Sequence, residues 1–424
     1  MATELFVLNF SGRTWDSPAM ARDSSDRRTL VAAFVFAVFG WGLGFYGPPI
    51  FFAQVLARTG WAASSVAWLL TLHHLSAAAL ILKVPRWHDR VGIFRVTLLG
   101  TAVAAAGILG WSLARTWAQL AVCAVLSGAG WGCTGGACIT AVIARWYRGP
   151  RAAGLTMAYN GATVGGAAFS VIWPWLIGAQ GFTAAAVAVG FLACGAVGAA
   201  GRVLDERTPA PARHGAADAQ VRVPRDARVY TLAVARALSL LAQIGVLAHL
   251  FAMCAPRIGA NAAGWLVGGA VAMALAGRQI SWKLGMRRNV HPRAVLAVFL
   301  LAQAGGCMLL ACVPPDGLRA LICGCVLFGI GIGTATSLPA VIAQHEFEPR
   351  VAVRATAIVL SGAQATYSFA PALFGLLLVR GGPQPALGPD TAVFFTVAAL
   401  LEAASAACVA LRLLLRPGEG ASRT

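Results

Sequence analysis

Apolar stretches of membrane-spanning length alternate with short polar gaps along almost the whole chain. Twelve such runs can be drawn, at 29–56, 62–84, 94–115, 117–144, 153–179, 182–203, 229–254, 261–284, 293–313, 317–343, 353–379 and 391–415. Crossing a hydrocarbon layer takes about 20 helical residues, and each helix satisfies its own backbone hydrogen bonds there. The pattern predicts an all-α membrane protein with twelve transmembrane helices. Three stretches are too polar to insert: a tail at 1–28, a linker at 204–228 and a tail at 416–424. The linker divides the runs into a six-helix bundle over 29–203 and another over 229–415.

The halves also repeat each other. Ala141-Val142-Ile143-Ala144 with Pro150-Arg151 returns as Ala340-Val341-Ile342-Ala343 with Pro349-Arg350, a displacement of 199 positions. Gly130 and Gly132 recur as Gly329 and Gly331 at the same spacing. A period near half the chain length marks a duplicated unit. Two pseudo-symmetric bundles are therefore expected.

Basic residues set the orientation, because they are retained on the cytoplasmic side. One set of gaps carries Lys83, Arg86, Arg90 and Arg95, then Arg145, Arg148 and Arg151, then Lys283, Arg287, Arg288 and Arg293; the opposite gaps carry the single charges Arg58, Arg115, Arg257, Arg319 and Arg380. Both termini are then expected in the cytoplasm, with the chain in a bacterial-type inner membrane. Residues 1–28 lack an apolar core behind positive charge and read as a cytoplasmic tail.

Composition excludes other classes. Hydrophobic residues are 58% and charged residues 11% of the chain, against roughly 25% charged in soluble domains. The net charge of +18 does not signal nucleic acid, because the basic residues sit in gaps between apolar runs rather than on one polar face. The ten cysteines lie almost wholly inside apolar runs without acidic or histidine partners at metal-ligand spacing, so they read as packing residues. No catalytic set, phosphate-binding loop or metal cluster stands out. Neither enzyme activity nor a cofactor is expected.

Glycine stripes such as Gly40, Gly42 and Gly44, or Gly161, Gly165 and Gly166, read as close helix packing, which small residues permit in lipid. Asp89-Arg90-Val91-Gly92 with Arg95, after the second run, is similar to the signature that joins helices two and three in the major facilitator superfamily. Pro85 stands where that signature has glycine. Gly161-Ala162-Thr163-Val164-Gly165-Gly166 is similar to the antiporter signature of the fifth helix, with alanine in place of proline. Gly40-Trp41-Gly42 and Gly277-Arg278 resemble the monocarboxylate and oxalate/formate branch, where an arginine of helix eight is implicated in holding the substrate carboxylate. The resemblance implies a transporter working by alternating access, with helices one, four, seven and ten lining its cavity. Tyr46, Trp131, Gln243 and His249 become candidate walls by that implication.

Ionisable residues at bilayer depth cost several kcal/mol and are functional candidates by default. Arg278 lies nine residues before Arg287, about 13 Å deep at 1.5 Å per residue. His73 and His74 lie at similar depth before Lys83. Aligning Gly60-Trp61 with Gly264-Trp265 sets His74 opposite Arg278, as a site between repeats requires. Adjacent histidines point about 100° apart on a helix, so only one of the pair can face a cavity squarely. The guanidinium fork of Arg278 suits a carboxylate. Tyr159, Asn160, Gln364 and Tyr367 are further candidates, for substrate or for bonds between helices. Arg236 could equally reach the surface along its stem. Glu402, the one acidic residue in the middle of a run, suits either a structural bond or proton coupling.

An arginine and histidines with almost no membrane carboxylates make a positive site. The expected substrate is a small organic anion of the monocarboxylate kind; if a proton travels with it, histidine is the expected carrier. An exporter of an amphipathic or cationic compound, and a non-transporting sensor on the same scaffold, are the competing readings. The loop after the fourth run is basic (Arg145, Arg148) and its repeat after the tenth is acidic (Glu346, Glu348). With Asp89 and Arg90 of the signature, these residues are expected to form a cytoplasmic gate that pairs across the halves in the outward-facing state and releases in the inward-facing one. The chain is expected to act as a monomer in the lipid bilayer.

Overall fold

The computed structural model describes residues 24–81, 83–149, 151–204, 226–285, 290–314, 317–347, 366–378 and 386–414, with isolated positions between 351 and 363. The described residues are helical apart from short turns. The first half comprises α1 (Ser24–Gly44), α2 (Pro48–Thr59), α3 (Ala63–Ile81), α4 (Val84–Val91), α5 (Ile93–Leu113), α6 (Trp117–Thr134), α7 (Gly136–Trp146) and α8 (Arg151–Gly201). The second comprises α9 (Ala227–Ile258), α10 (Ala260–Gly285), α11 (Pro292–Ala311), α12 (Leu318–Glu346), α13 (Ala370–Leu376) and α14 (Ala392–Leu414).

Ten of the described helical stretches are long and apolar enough to cross a membrane. One of them, Gly154–Gly201, runs 48 residues and turns at Gly181, whose φ of 82° is open to glycine but strained for other residues. It supplies the expected fifth and sixth runs. The expected eleventh run is described only in part, ending in α13.

Two runs expected to be continuous are broken. The first divides into α1 and α2 at Phe45-Tyr46-Gly47, because Pro48 has no N–H to continue α1 and is suited to open a new helix. The fourth divides into α6 and α7 at Gly135, with φ −76° and ψ −149°. Pro174 and Pro339, by contrast, lie inside helices.

The duplication extends to details of capping. Arg58 donates to the carbonyls of Trp111 (3.2 Å), Ala114 (2.7 Å) and Ser112 at the end of α5. Its repeat at the 199-residue displacement, Arg257, donates to the carbonyl of Pro314 at 2.5 Å. Each cation satisfies carbonyls left over beyond a helix C-terminus, where the dipole is negative. Gly60 and Gly259, also 199 apart, both take positive φ, 66° and 82°.

Packing distinguishes the two ends of the molecule. Away from the arginine-rich gaps, one apolar core runs through both halves, from Phe51, Phe52 and Trp173 to Phe251, Phe374 and Phe394. Towards the arginine-rich gaps the core splits: Phe36, Ile139 and Val142 belong to a cluster of the first half, Leu232, Leu296 and Ile342 to one of the second. The halves meet through α2 with α9, α3 with α13, and α8 with α10. A Cβ at Gly268 would lie 2.7 Å from the carbonyl oxygen of Ala167, so α10 and α8 are in near backbone contact there.

Candidate functional site

The break between α1 and α2 places three aromatic side chains, Trp41, Phe45 and Tyr46, at the junction of the halves. Trp41 meets Trp131 of α6 edge to face at 4.8 Å and Tyr159 of α8 at 5.6 Å between ring centroids. Phe45 continues the lining, 4.9 Å from Tyr46, 6.1 Å from Trp131 and 6.0 Å from His74 of α3. His74 lies 5.5 Å from Tyr367, which belongs to the second half. Gly44 and Gly166 leave the space that the Trp131 and Tyr46 rings fill. Those two glycines thus shape the site as well as the packing.

Arg278 closes this lining from the second half. Its Nη1 donates to Oδ1 of Asn160 at 2.9 Å, and Tyr46 is its electrostatic neighbour. Its Nε is buried without an acceptor. A guanidinium can offer two parallel donors to a carboxylate, and this one keeps a donor unspent. Arg278, Asn160, Tyr46, Tyr159, Trp41 and Phe45 are all half-buried. Trp41 and Phe45 were not singled out as site residues from the sequence. Their signal is the i, i+4 aromatic spacing immediately before Pro48-Pro49.

Three candidates turn elsewhere. His73 is fully buried and both ring nitrogens are taken, Nδ1 by Ser127 Oγ at 2.9 Å and Nε2 by the Gly44 carbonyl at 2.7 Å. It ties α3 to α6 and α1 rather than lining a cavity. Gln243 is 2% exposed and donates to Gln303 Oε1 at 2.9 Å and Ser239 Oγ at 3.1 Å, inside its own half. His249 is fully buried between Phe52 and Phe394, with Nε2 on the Pro371 carbonyl at 2.9 Å. It belongs to the core that joins the halves. Gln364 lies outside the described residues.

The histidine pair can be separated by mutation. His73→Leu leaves the buried Gly44 carbonyl without its donor, while Ser127 keeps Ala124 and Trp111, so it should lower unfolding stability by about 1–3 kcal/mol with little change in the apparent KM of uptake. His74→Leu, whose ring faces Phe45 and Tyr367, should do the reverse. Thermal unfolding in detergent beside uptake kinetics checks both.

Part of the expected gate lies within the described residues. Glu346 does not reach the first half; it forms a bidentate pair with Arg293, at 2.5 Å to Nε and 2.9 Å to Nη2. Arg293, 1% exposed, also donates to the Arg228 carbonyl at 2.9 Å and to Thr231 Oγ1 at 3.3 Å. The Glu346 carbonyl accepts from Arg228 Nη1 at 2.9 Å. In the first half, the Arg148 amide donates to Asp26 Oδ1 at 3.0 Å, and the Arg145 guanidinium lies over the Trp146 ring. Asp89 and Arg90 are exposed on α4, and Glu348 lies outside the described residues. Beside Asp89, burial pushes His88 down to about 4 against the opposing pull of that carboxylate. Burial and the neighbouring His345 likewise lower His291, against Glu346.

Two helical bundles, joined by a core at one end and sharing a charged, aromatic lining between them, have the architecture of a membrane transporter. The Major Facilitator Superfamily profile matches residues 29–371, and the chain belongs to that family. No curated protein matches it significantly in sequence. Among solved structures it is similar to a bacterial homolog of the human lysosomal transporter Spinster, in an inward-facing and occupied conformation. That match has a TM-score of 0.74 at 14% identity, over 94% of this chain and 100% of the other. It is also similar to the nucleoside transporter NupG, with a TM-score of 0.65 at 12% identity, over 93% of this chain and 100% of the other. At such identities the similarity establishes the fold alone. The protein is a multi-pass transporter of a small molecule and not an enzyme.

Proposed function

We propose that this transporter carries a small organic anion of the monocarboxylate kind, held by Arg278 between the two halves. The observation that carries the reading is the Arg278 guanidinium, fixed by Asn160 on one side and keeping a buried, unspent Nε donor in an aromatic lining. A guanidinium in such surroundings is compensated best by an anion that brings its own charge. The rings of Trp41, Phe45 and Tyr46 suit an apolar body attached to that charge, since bound ligands lose most of their water. The arginine-rich gaps face the cytoplasm in this reading, with both termini on that side of an inner membrane. The continuous core then seals the outer end, and the split core lies at the cytoplasmic end. Exchange of that arrangement for its mirror, with the halves rocking about the lining, delivers substrate across.

Counterflow in proteoliposomes tests the substrate class. A panel of labelled aliphatic and aromatic monocarboxylates should include at least one that exchanges saturably, whereas nucleosides and cationic amphipathic compounds should not. Saturable exchange of a cationic compound, with none for any carboxylate, would sink the assignment.

A further inference from the structure

A titratable side chain holds the first turn of α11. Pro292 opens that helix without an N–H, and the amides of Ala294 and Val295 reach the His291 carbonyl at 2.9 and 3.3 Å. The Arg293 amide is left over, and the His291 side chain takes it: Nδ1 accepts that N–H at 3.2 Å from an extended N-cap position. Serine, threonine and asparagine, the usual N-caps, keep an acceptor at any ordinary pH. Histidine keeps one only while Nδ1 is unprotonated, because an imidazolium has two donors and no acceptor.

The residue so capped is Arg293, whose guanidinium binds both carboxylate oxygens of Glu346 and the carbonyl of Arg228. Arg228 in turn donates to the Glu346 carbonyl and lies over the Phe347 ring at 4.4 Å. The starts of α9 and α11 and the end of α12 therefore share one clasp. His291 borders it, with its ring 5.1 Å from that of His345 in the last turn of α12 and the planes at 71°. His291 is half-buried and His345 is exposed, so the pair is open to protons from solution.

The charged and titratable groups facing His291 among the described residues are Arg293 from its own helix and His345 and Glu346 from α12. Arg287 and Arg288 lie outside the described residues. Burial, and then His345, hold the His291 pKa below the ordinary histidine range, against the pull of Glu346. The cap is therefore complete above about pH 6.5, the ordinary histidine value, and is lost as pH falls below it. A metal ion between the rings is disfavoured, because an Nδ1 that accepts an N–H leaves the imidazole proton on Nε2.

We propose that His291 is a pH-sensitive cap that unlocks this clasp: a proton from solution binds Nδ1, the bond to the Arg293 amide breaks, and the guanidinium is released from Glu346. A positive charge at a helix N-terminus opposes the dipole there, which adds to the release. The imidazolium also competes with Arg293 for the Glu346 carboxylate. Alternating access needs each half to rock as a unit, so an open clasp slows turnover without touching Arg278. In the orientation proposed above, the solution sensed is the cytoplasm. The device does not depend on which substrate is carried.

Variants of the full chain separate this role from a merely structural turn. Amide hydrogen exchange in detergent, expressed as protection factors for the first turn of α11, should fall roughly 2- to 30-fold in wild type between about pH 7.5 and 5.5, the range set by loss of a cap. His291→Asn keeps a cap acceptor that does not titrate and should stay protected at both pH values, whereas His291→Ala should be unprotected at both. His345→Gln removes a facing charge and should move the wild-type midpoint to higher pH. In counterflow of the panel solute that exchanges fastest, the maximal rate should drop with acid in wild type at unchanged KM, and His291→Asn should resist that drop. Protection that stays level in wild type, or falls equally in His291→Asn, would overturn the proposal. So would a midpoint that His345→Gln leaves in place, or a maximal rate at acid pH indifferent to His291→Asn.

Discussion

Arg278→Gln should weaken substrate affinity by roughly 10- to 150-fold, the range set by about 1.5–3 kcal/mol for a hydrogen bond to a charged group. Glutamine keeps a donor near Asn160, so the fold and the Asn160 contact are largely spared, but it removes the charge. Arg278→Lys should fall between, because a point charge replaces the planar fork and cannot offer two parallel bonds. The effect should appear in KM for counterflow of the best carboxylate, while the unfolding temperature moves little. Asn160→Ala frees the guanidinium from its anchor at 2.9 Å. It should raise KM by a smaller factor than Arg278→Gln, through orientation rather than charge.

The second large effect concerns stability. Arg293→Met leaves Glu346 buried without its bidentate partner, with side-chain exposures of 1% and 10% for the native pair. Breaking a buried pair from one side typically costs about 3–5 kcal/mol, whereas replacing both charges is often neutral. Arg293→Met should therefore unfold much more readily, and Arg293→Met/Glu346→Leu should recover most of the loss. Denaturant titration in detergent reads the difference. The expected gate pairs Glu346 with the opposite half only in the outward-facing state, so an effect of Glu346 variants on transport beyond their loss of stability would report that second partner.

The broad plan was legible because lipid imposes it. An all-helical membrane fold and the repeat at 199 positions follow from hydropathy and spacing. The repeat even carries through to Arg58 and Arg257 as caps on equivalent helix ends. Arg278 stands out in the sequence for the same reason: a charge at that depth has few explanations. What the sequence could not show is where side chains point. His73 and His74 share a depth, but only contact geometry shows His73 bonded to Ser127 and Gly44. Gln243 looked like a wall because its helix lines cavities in the family, whereas its amide is spent on Gln303 inside the bundle. The α1 break was partly written in Pro48-Pro49; reading those prolines as a bend missed that the break presents Trp41, Phe45 and Tyr46 together. What the loop charges could not show is the local partner Arg293, which holds Glu346 within its own half in this conformation.

The central claim is that an anion is recognised at Arg278 between the halves. Isothermal titration of the purified protein with the best-exchanging carboxylate and with its neutral primary amide tests it without requiring transport. The account predicts saturable binding of the acid, at least tenfold weaker binding of the amide, and loss of that preference in Arg278→Gln. Equal affinity for acid and amide, or a preference unchanged by Arg278→Gln, would contradict it.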